Sequence, residues 1–473
     1  MSNSTYDAIV VGSGPNGLSA AIRLQQEGLS VLVLEAKDTI GGGMRTAELT
    51  LPGFKHDICS AIHPMALASP YLETLPLQDY GLEYISPPID CAHPFDGGSA
   101  AHLERSVINT SKALGSDETS YRKLFQPIKT YWDGIAQDVL GPLSIPKNPI
   151  DMARFGLSAL QPATWLAKRF QTKEAKGLWA GMAAHSLQPL SNWTTSGIGL
   201  VLSVAGHIGG WPIPKGGSQS IANAMGSYFE ALGGNIETNC YVTSLKQLPS
   251  SKAVLFDLTP KQLLEIAEDK FSNLYKWQLN RYRYGMGVFK IDWALNGPVP
   301  FTASVCNRAG TVHLGGTYEE IVHSEREIGK GKHVEKPFVL FAQQSRFDST
   351  RAPKGKHIAW AYCHVPNGDT EDKTNIIENQ IERFAPGFKD LILEKHTMNT
   401  QAMQVYNPNY VGGDINGGSI DIGQLFTRPA LRWSPYRTSA RGLYLCSSST
   451  PPGGGVHGMC GYHSAMRVLK DLF

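Results

Sequence analysis

The chain has 473 residues, with 43 Lys plus Arg against 41 Asp plus Glu, and its net charge of +2 gives no electrostatic case for nucleic acid. That length suffices for two domains with substantial cores, and 18% charged residues beside 49 glycines and 29 prolines argue against a disordered or coiled-coil chain. Seven scattered cysteines, odd in number and without a C-x-x-C pair, argue against a dithiol redox centre, offer no metal-ligand spacing and fit reduced thiols in a cytosolic compartment.

The first strand is expected by about Asp7, which leaves no room for a signal or transit peptide, and no apolar run is long enough to span a bilayer. Ala8 to Val11 leads into the turn Gly12-Ser13-Gly14-Pro15-Asn16-Gly17, and a helical pattern at Leu18, Ala21, Ile22 and Leu24 leads out. Val31 to Leu34 supplies a second strand, which closes on Glu35 and Ala36. In such a unit Gly12 permits the sharp turn, Gly14 lets the backbone approach a pyrophosphate, and Gly17 lets helix and strand pack closely. The helix N-terminus offers its free N–H groups to the phosphates. Glu35 lies about 20 residues past the turn, the place of an acid that accepts ribose hydroxyls. With no arginine beside it, Glu35 argues against a ribose 2′-phosphate and fits FAD or NAD. No second G-x-G-x-x-G follows, so one nucleotide unit is expected rather than a pair passing hydride from NAD(P)H to a flavin.

After Gly41-Gly42-Gly43-Met44-Arg45 the chain reads as helical between about 105 and 205. Within that stretch, Met152 to Phe170 mixes Phe, Leu and Trp with Arg154, Lys168 and Arg169, the make-up of an interfacial helix or of a helical cap, although Pro162 interrupts it. Residues 214–245 read as turn, helix, Gly-Gly cap and strand. The span 285–365 alternates as strands do, and a helix from about Glu371 to Phe384 follows. The tail gives a short strand at 442–446, then PPGGG, then a helix from about His457 to Leu472. A strand, glycine turn and helix in this position imply that the tail returns to the nucleotide domain.

GGGMRT, PKGGS with its helix, and YLCSSSTPPGGGVHGMCGYHSA together resemble the FAD-dependent oxidoreductases of the phytoene desaturase-like group, over nearly the whole chain. FKHDICSAIHP, AGTVHLGG, AWAYCHVP, IERFAPGF and NPNYVGGDI resemble the subgroup named pyridine nucleotide-disulphide oxidoreductase domain-containing protein 2. That subgroup name does not fit the absence of a dithiol pair. The resemblance implies FAD held by Gly12, Gly14, Pro15, Asn16, Gly17, Glu35 and Ala36. It places Gly42, Gly43, Met44 and Arg45 near the ribityl and phosphates, Val242 near adenine, and Gly453, Gly454, Gly455, Val456 and His457 at the flavin. Many flavoproteins carry an acid after the final strand, where Cys446-Ser447-Ser448 stands here.

Because the flavin carries the redox chemistry, few acid or base side chains are required. The candidates are His457, Lys215 (in the part of a lysine that holds water near the flavin in amine oxidases), His207 and His63, with His56 beside it. No metal is expected. The fold class is α/β: a Rossmann-like FAD-binding domain (1–80, 206–284 and 411–473) and a mixed-sheet substrate domain with a helical cap (81–205 and 285–410), both discontinuous in sequence. The activity expected is hydride transfer from a C–H bond of a small apolar, polyene or lipid-like substrate to flavin, with electrons passing to oxygen or a quinone. Amine oxidation, redox-neutral isomerisation or saturation, and non-catalytic flavin or lipid binding are the alternatives. Cytoplasmic placement is expected, with peripheral membrane contact and a homo-oligomer both left open.

Overall fold

The computed structural model describes residues 5–473. Five strands form a fully parallel sheet in the order Leu443–Leu445, Ser251–Phe256, Tyr6–Val11, Val31–Leu34, Asn235–Glu237. Both faces are covered, which is why its strands read as unbroken apolar runs. Ala8, Val10, Val31 and Val33 join the core under Pro15–Gln26 and Gln219–Ala231, while Ile9, Val11, Leu32 and Leu34 pack with Leu263, Phe271 and Tyr275 on the other side. All five strands come from segments 1–80, 206–284 and 411–473.

Seven strands, all from 81–205 and 285–410, form a second sheet in the order Ile392–Met398, Gly287–Leu295, His357–Val365, Val339–Ala342, Ala309–Leu314, Ile89–Pro94, Ala100–Leu103. It is mixed: Ala309–Leu314 runs parallel to Ile89–Pro94, and the remaining pairs are antiparallel. Period-two alternation divides the residues of Gly287–Leu295, His357–Val365 and Val339–Ala342 between its two faces. Phe289, Ile291, Trp293, Phe341 and Ala361 pack under the helix Thr374–Phe384, whereas Val288, Lys290, Leu340, Trp360 and Tyr362 face the other way. The helix Lys173–Ala184 covers part of that second face. It approaches closely through Gly177 and Gly181, where a Cβ would stand 2.8 Å from His93 and 2.5 Å from His313.

The helix Met459–Leu472 packs against Pro15–Gln26 at Gly461, where a Cβ would lie 1.8 Å from the Asn16 carbonyl. Both ends of the polypeptide thereby meet around the glycine turn. The span 285–365 departs from a pure strand reading, because Tyr318–Gly329 is a helix started by a Thr317–Glu320 capping box. The strands Ser251–Phe256 and Ile392–Met398 lack a clean sequence signature; the latter is a half-exposed edge carrying Glu394, Lys395 and His396. Pro162 divides 152–170 into Pro149–Ala159 and Ala163–Leu166. Among the described residues, no helix is long and apolar enough to cross a membrane.

Candidate functional site

A cavity of about 500 Å³ starts at the glycine turn of the parallel sheet and ends against the inner face of the mixed sheet. Gly12, Gly14, Pro15, Asn16, Glu35, Ala36 and Val242 line its first part, Gly42, Gly43 and Arg45 the next, and Gly455 and Val456 stand further along. Of the expected cofactor residues, Gly17, Met44, Gly453, Gly454 and His457 support the wall without lining it. Met44 is wholly buried in the core.

The turn leaves no room for side chains. Gly12 holds a φ of +101°; a Cβ at Gly17 would meet the Gly12 carbonyl at 2.1 Å, and one at Gly14 would meet Asp257 Oδ2 at 2.4 Å. Gly42 and Gly43 obey the same constraint, with Gly14 Cα at 2.9 Å and the Tyr410 hydroxyl at 2.5 Å. Asn16 Oδ1 is buried without a partner, an acceptor available to a bound hydroxyl. These features fit a dinucleotide whose pyrophosphate crosses the turn, whose adenosine lies along 240–243 and whose ring system extends to Gly455.

Glu35 is already engaged. Its Oε2 accepts the Ser13 amide at 3.0 Å, and its Oε1 accepts the Lys37 amide and the Arg45 guanidinium, both at 2.9 Å. The expectation that Glu35 has no arginine neighbour is therefore wrong: the turn at Gly41 and Gly42 (φ +121° and +56°) brings Arg45 back onto it. That guanidinium also donates to the Thr39 carbonyl at 2.9 and 2.8 Å, so it is tied to protein acceptors rather than free for a ribose phosphate. At the other end, Ser447 and Ser448 line the cavity where an acid was looked for, and Asn16 Nδ2 donates to Ser448 Oγ at 3.3 Å.

Asp257, overlooked in the sequence, follows the strand Ser251–Phe256 and lines the cavity beneath the turn. Its Oδ2 accepts the Gly17 amide at 3.0 Å. Burial, with a smaller push from Glu35, raises its pKa to about 7.

Three of the four side chains expected to act chemically lie outside the cavity. Lys215 is at the surface, its Nζ paired with Glu83 at 2.7 Å. His207 is buried under the cap, with Nε2 on the Tyr121 hydroxyl at 2.8 Å and Nδ1 on the Glu104 carbonyl at 2.9 Å. His457 accepts the Met459 amide on Nδ1 at 3.0 Å and donates from Nε2 to the Gly453 carbonyl at 3.2 Å, so its ring braces the glycine run. Burial lowers the pKa of both histidines to about 4. His63 does line the wall. Ser218 Oγ spends its proton on the Ser60 carbonyl at 2.6 Å, so His63 Nε2 donates to that hydroxyl at 2.8 Å. His56 bonds Thr50 at 2.8 Å and stands 3.6 Å from Asp292.

The lysine that faces the inner, mixed-sheet end of the cavity is Lys290, not Lys215. It is buried, ion-paired to Asp292 two residues on, opposite Tyr362 in the sheet and 5.9 Å from the Trp360 ring centre. The strand period places Lys290 and Asp292 on one face; a buried charge pair inside an alternating strand was the signal available in VFKIDWAL. Leu187, Leu202, Trp211, Val288, Leu340 and Tyr362 make the surrounding wall largely apolar. Among the described residues, His333, Asp369 and Glu371 have metal-ligand proximity. They lie at the surface with the Lys373 ammonium 3.0 Å from Glu371 and 2.8 Å from His333, and so already hold a cation.

Residues 10–75 match the family model of an NAD(P)-binding Rossmann-like domain. The chain is 26% identical to pyridine nucleotide-disulfide oxidoreductase domain-containing protein 2 of Mus musculus, over 99% of this chain and 94% of that protein. It is 23% identical to a lycopene-forming phytoene desaturase of a Paracoccus strain, over 98% of this chain and 97% of the other. Wild-type putrescine oxidase bound to putrescine superposes with a TM-score of 0.64 at 18% identity, over 99% of both chains. The homologues are those of the group that the motifs resemble, and the solved neighbours share the fold.

Proposed function

We propose that this chain, an FAD-dependent oxidoreductase related to the phytoene desaturases and amine oxidases, takes hydride from a C–H bond of an apolar, polyene or lipid-like substrate, with oxygen or a quinone as final electron acceptor. One observation supports this reading above others: a single cavity runs from the glycine turn to a wall of Leu187, Leu202, Val288, Leu340, Trp360 and Tyr362. FAD, when bound, supplies the hydride acceptor.

The chain's own residues bind, orient and exclude. Backbone amides at the turn and the start of Pro15–Gln26 favour the pyrophosphate. Asn16 and Ser448 offer hydrogen bonds to hydroxyls, and Gly455 lets main chain approach a ring. The apolar wall desolvates the substrate and excludes water from the transfer. His63, tied through Ser218 to the Ser60 carbonyl, fixes the 59–65 part of that wall. Lys290, held by Asp292, brings an ammonium to the apolar end, where it can orient a water or a substrate oxygen.

Peripheral membrane contact belongs to the same proposal. Leu157, Leu160, Trp165 and Trp193 are exposed on the cap, the two indoles in contact at 5.1 Å, with exposed Arg154, Lys168 and Arg169 on the same segments. The test of the main reading is mass spectrometry of small molecules extracted with the protein, then of products formed from them. FAD and a product lighter by two hydrogens support desaturation. An unchanged product mass would favour isomerisation, and hydrogen peroxide release on a panel of amines would favour amine oxidation.

A further inference from the structure

The helix Lys173–Ala184 ends at His185, whose ring forms part of the cavity wall with Leu187, Leu202 and Trp211 and stands edge-on to the Trp211 indole at 5.6 Å. His185 Nε2 lies 3.0 Å from His313 Nε2, and His313 Nδ1 lies 3.4 Å from Cys91 Sγ. His313 and Cys91 project from adjacent strands toward the cap, and the glycine at 181 gives His313 its room. The result is a row of three groups, thiol, imidazole and imidazole, leading from the sheet to the cavity.

Counting protons gives the row a direction. Burial holds both rings neutral, lowering His185 to about 3 and His313 well below its ordinary value, so each carries one N–H. One N–H must bridge the two Nε2 atoms. The thiol has one proton and two acceptors within reach, His313 Nδ1 at 3.4 Å and the Ala92 carbonyl at 3.7 Å. The imidazole nitrogen is the nearer and the more basic of the two acceptors, so the thiol proton is assigned to His313 Nδ1. His313 then donates from Nε2 to His185, and the remaining proton of His185 sits on Nδ1. Among the described residues Nδ1 has no hydrogen-bond partner, and His185 keeps partial exposure beside the buried Leu187 and Trp211.

We infer that the row Cys91–His313–His185 presents the Nδ1–H of His185 to the cavity as a fixed neutral donor, and that the substrate carries an acceptor oxygen on its apolar body. This inference rests on reading the cavity as the substrate site and narrows the substrate class to oxygenated molecules, such as ketones, alcohols or ethers. A pure hydrocarbon would leave the donor desolvated and unpaired, which disfavours it.

The test uses FAD-loaded protein and a matched pair of probes, heptan-2-one and 2-methyl-1-heptene, which differ by C=O against C=CH2. Affinities are measured by titration calorimetry, and flavin content is followed separately by absorbance. His185→Phe keeps a flat ring and removes the donor; the ratio of ketone to hydrocarbon affinity should fall about tenfold, the worth of one hydrogen bond. Cys91→Ala, which frees the tautomer without touching the wall, should lower the ratio by a smaller factor. A ratio unchanged in both variants, or failure of the unmutated holoenzyme to bind either probe, would overturn the inference. A chain that takes up no flavin would instead defeat the reading on which it rests.

Discussion

Asp257 Oδ2 accepts the Gly17 amide at 3.0 Å, so a carboxyl group shares the helix N-terminus that a pyrophosphate would use. Burial foremost, then Glu35, raises this carboxyl to about 7, against an ordinary value near 4 in an unfolded chain. Between those values the folded state holds a proton that the unfolded state has lost. Stability from this group is therefore present at low pH and lost as pH rises through 7. An ionised Asp257 also repels phosphate, so FAD affinity should weaken over the same window. Asp257→Asn should flatten both trends; FAD binding and thermal midpoints measured from about pH 5 to about pH 8 check it. Equal slopes in variant and parent would refute the role.

Gly14→Val should empty the cofactor site. Its Cβ would stand 2.4 Å from Asp257 Oδ2, and the valine methyls would project where main chain must approach the phosphates. Purified Gly14→Val protein is expected to be folded by circular dichroism yet to retain less than about a tenth of the parent's flavin, as one lost phosphate contact of about 1.5–3 kcal/mol already implies. A full yellow spectrum would count against the turn as a cofactor cradle.

Lys290 and Asp292 should be separable by a double substitution. Lys290→Met alone leaves Asp292 buried without its partner and should cost about 3–5 kcal/mol of stability. Lys290→Met with Asp292→Asn should regain most of that loss while keeping flavin. If Lys290 orients the reacting groups, turnover should stay depressed by about a hundredfold in the double variant. Parent-like turnover would leave the pair a purely structural element.

Much of this arrangement was legible in the sequence, and what escaped follows a physical pattern. The glycine turn, the helix Gln219–Ala231 and the tail helix are short-range features, written in φ-permissive residues and 3.6-residue periods. The strand Ser251–Phe256 gains its place only by pairing with Tyr6–Val11, and Asp257 comes to the turn with it. Arg45 reaches Glu35 through two left-handed glycines, a reversal that spacing alone does not reveal. Lys290 and His185 converge on the cavity from segments far apart in the chain, and Cys91 stands behind His185 through His313. Lys215, placed in an eye-catching PKGGS turn, is simply a surface ion pair.

Contact with a membrane can be measured by co-sedimentation with vesicles of phosphatidylcholine and phosphatidylglycerol. The exposed Trp165–Trp193 pair and the nearby Arg154, Lys168 and Arg169 predict binding that grows with the anionic lipid and weakens with salt. Trp165→Ser with Trp193→Ser should reduce it at least about fivefold, given the apolar area of two half-exposed indoles. Binding indifferent to both lipid charge and the double substitution would exclude this face.

The account stands most directly on flavin occupancy. Protein purified in the dark, or unfolded and refolded with FAD, should show the two-banded yellow spectrum, and acid extraction should release FAD at one molecule per chain. The spectrum should persist when NADH is added under nitrogen, since the chain has a single glycine-turn unit. Colourless protein that cannot be loaded with FAD would contradict the central claim.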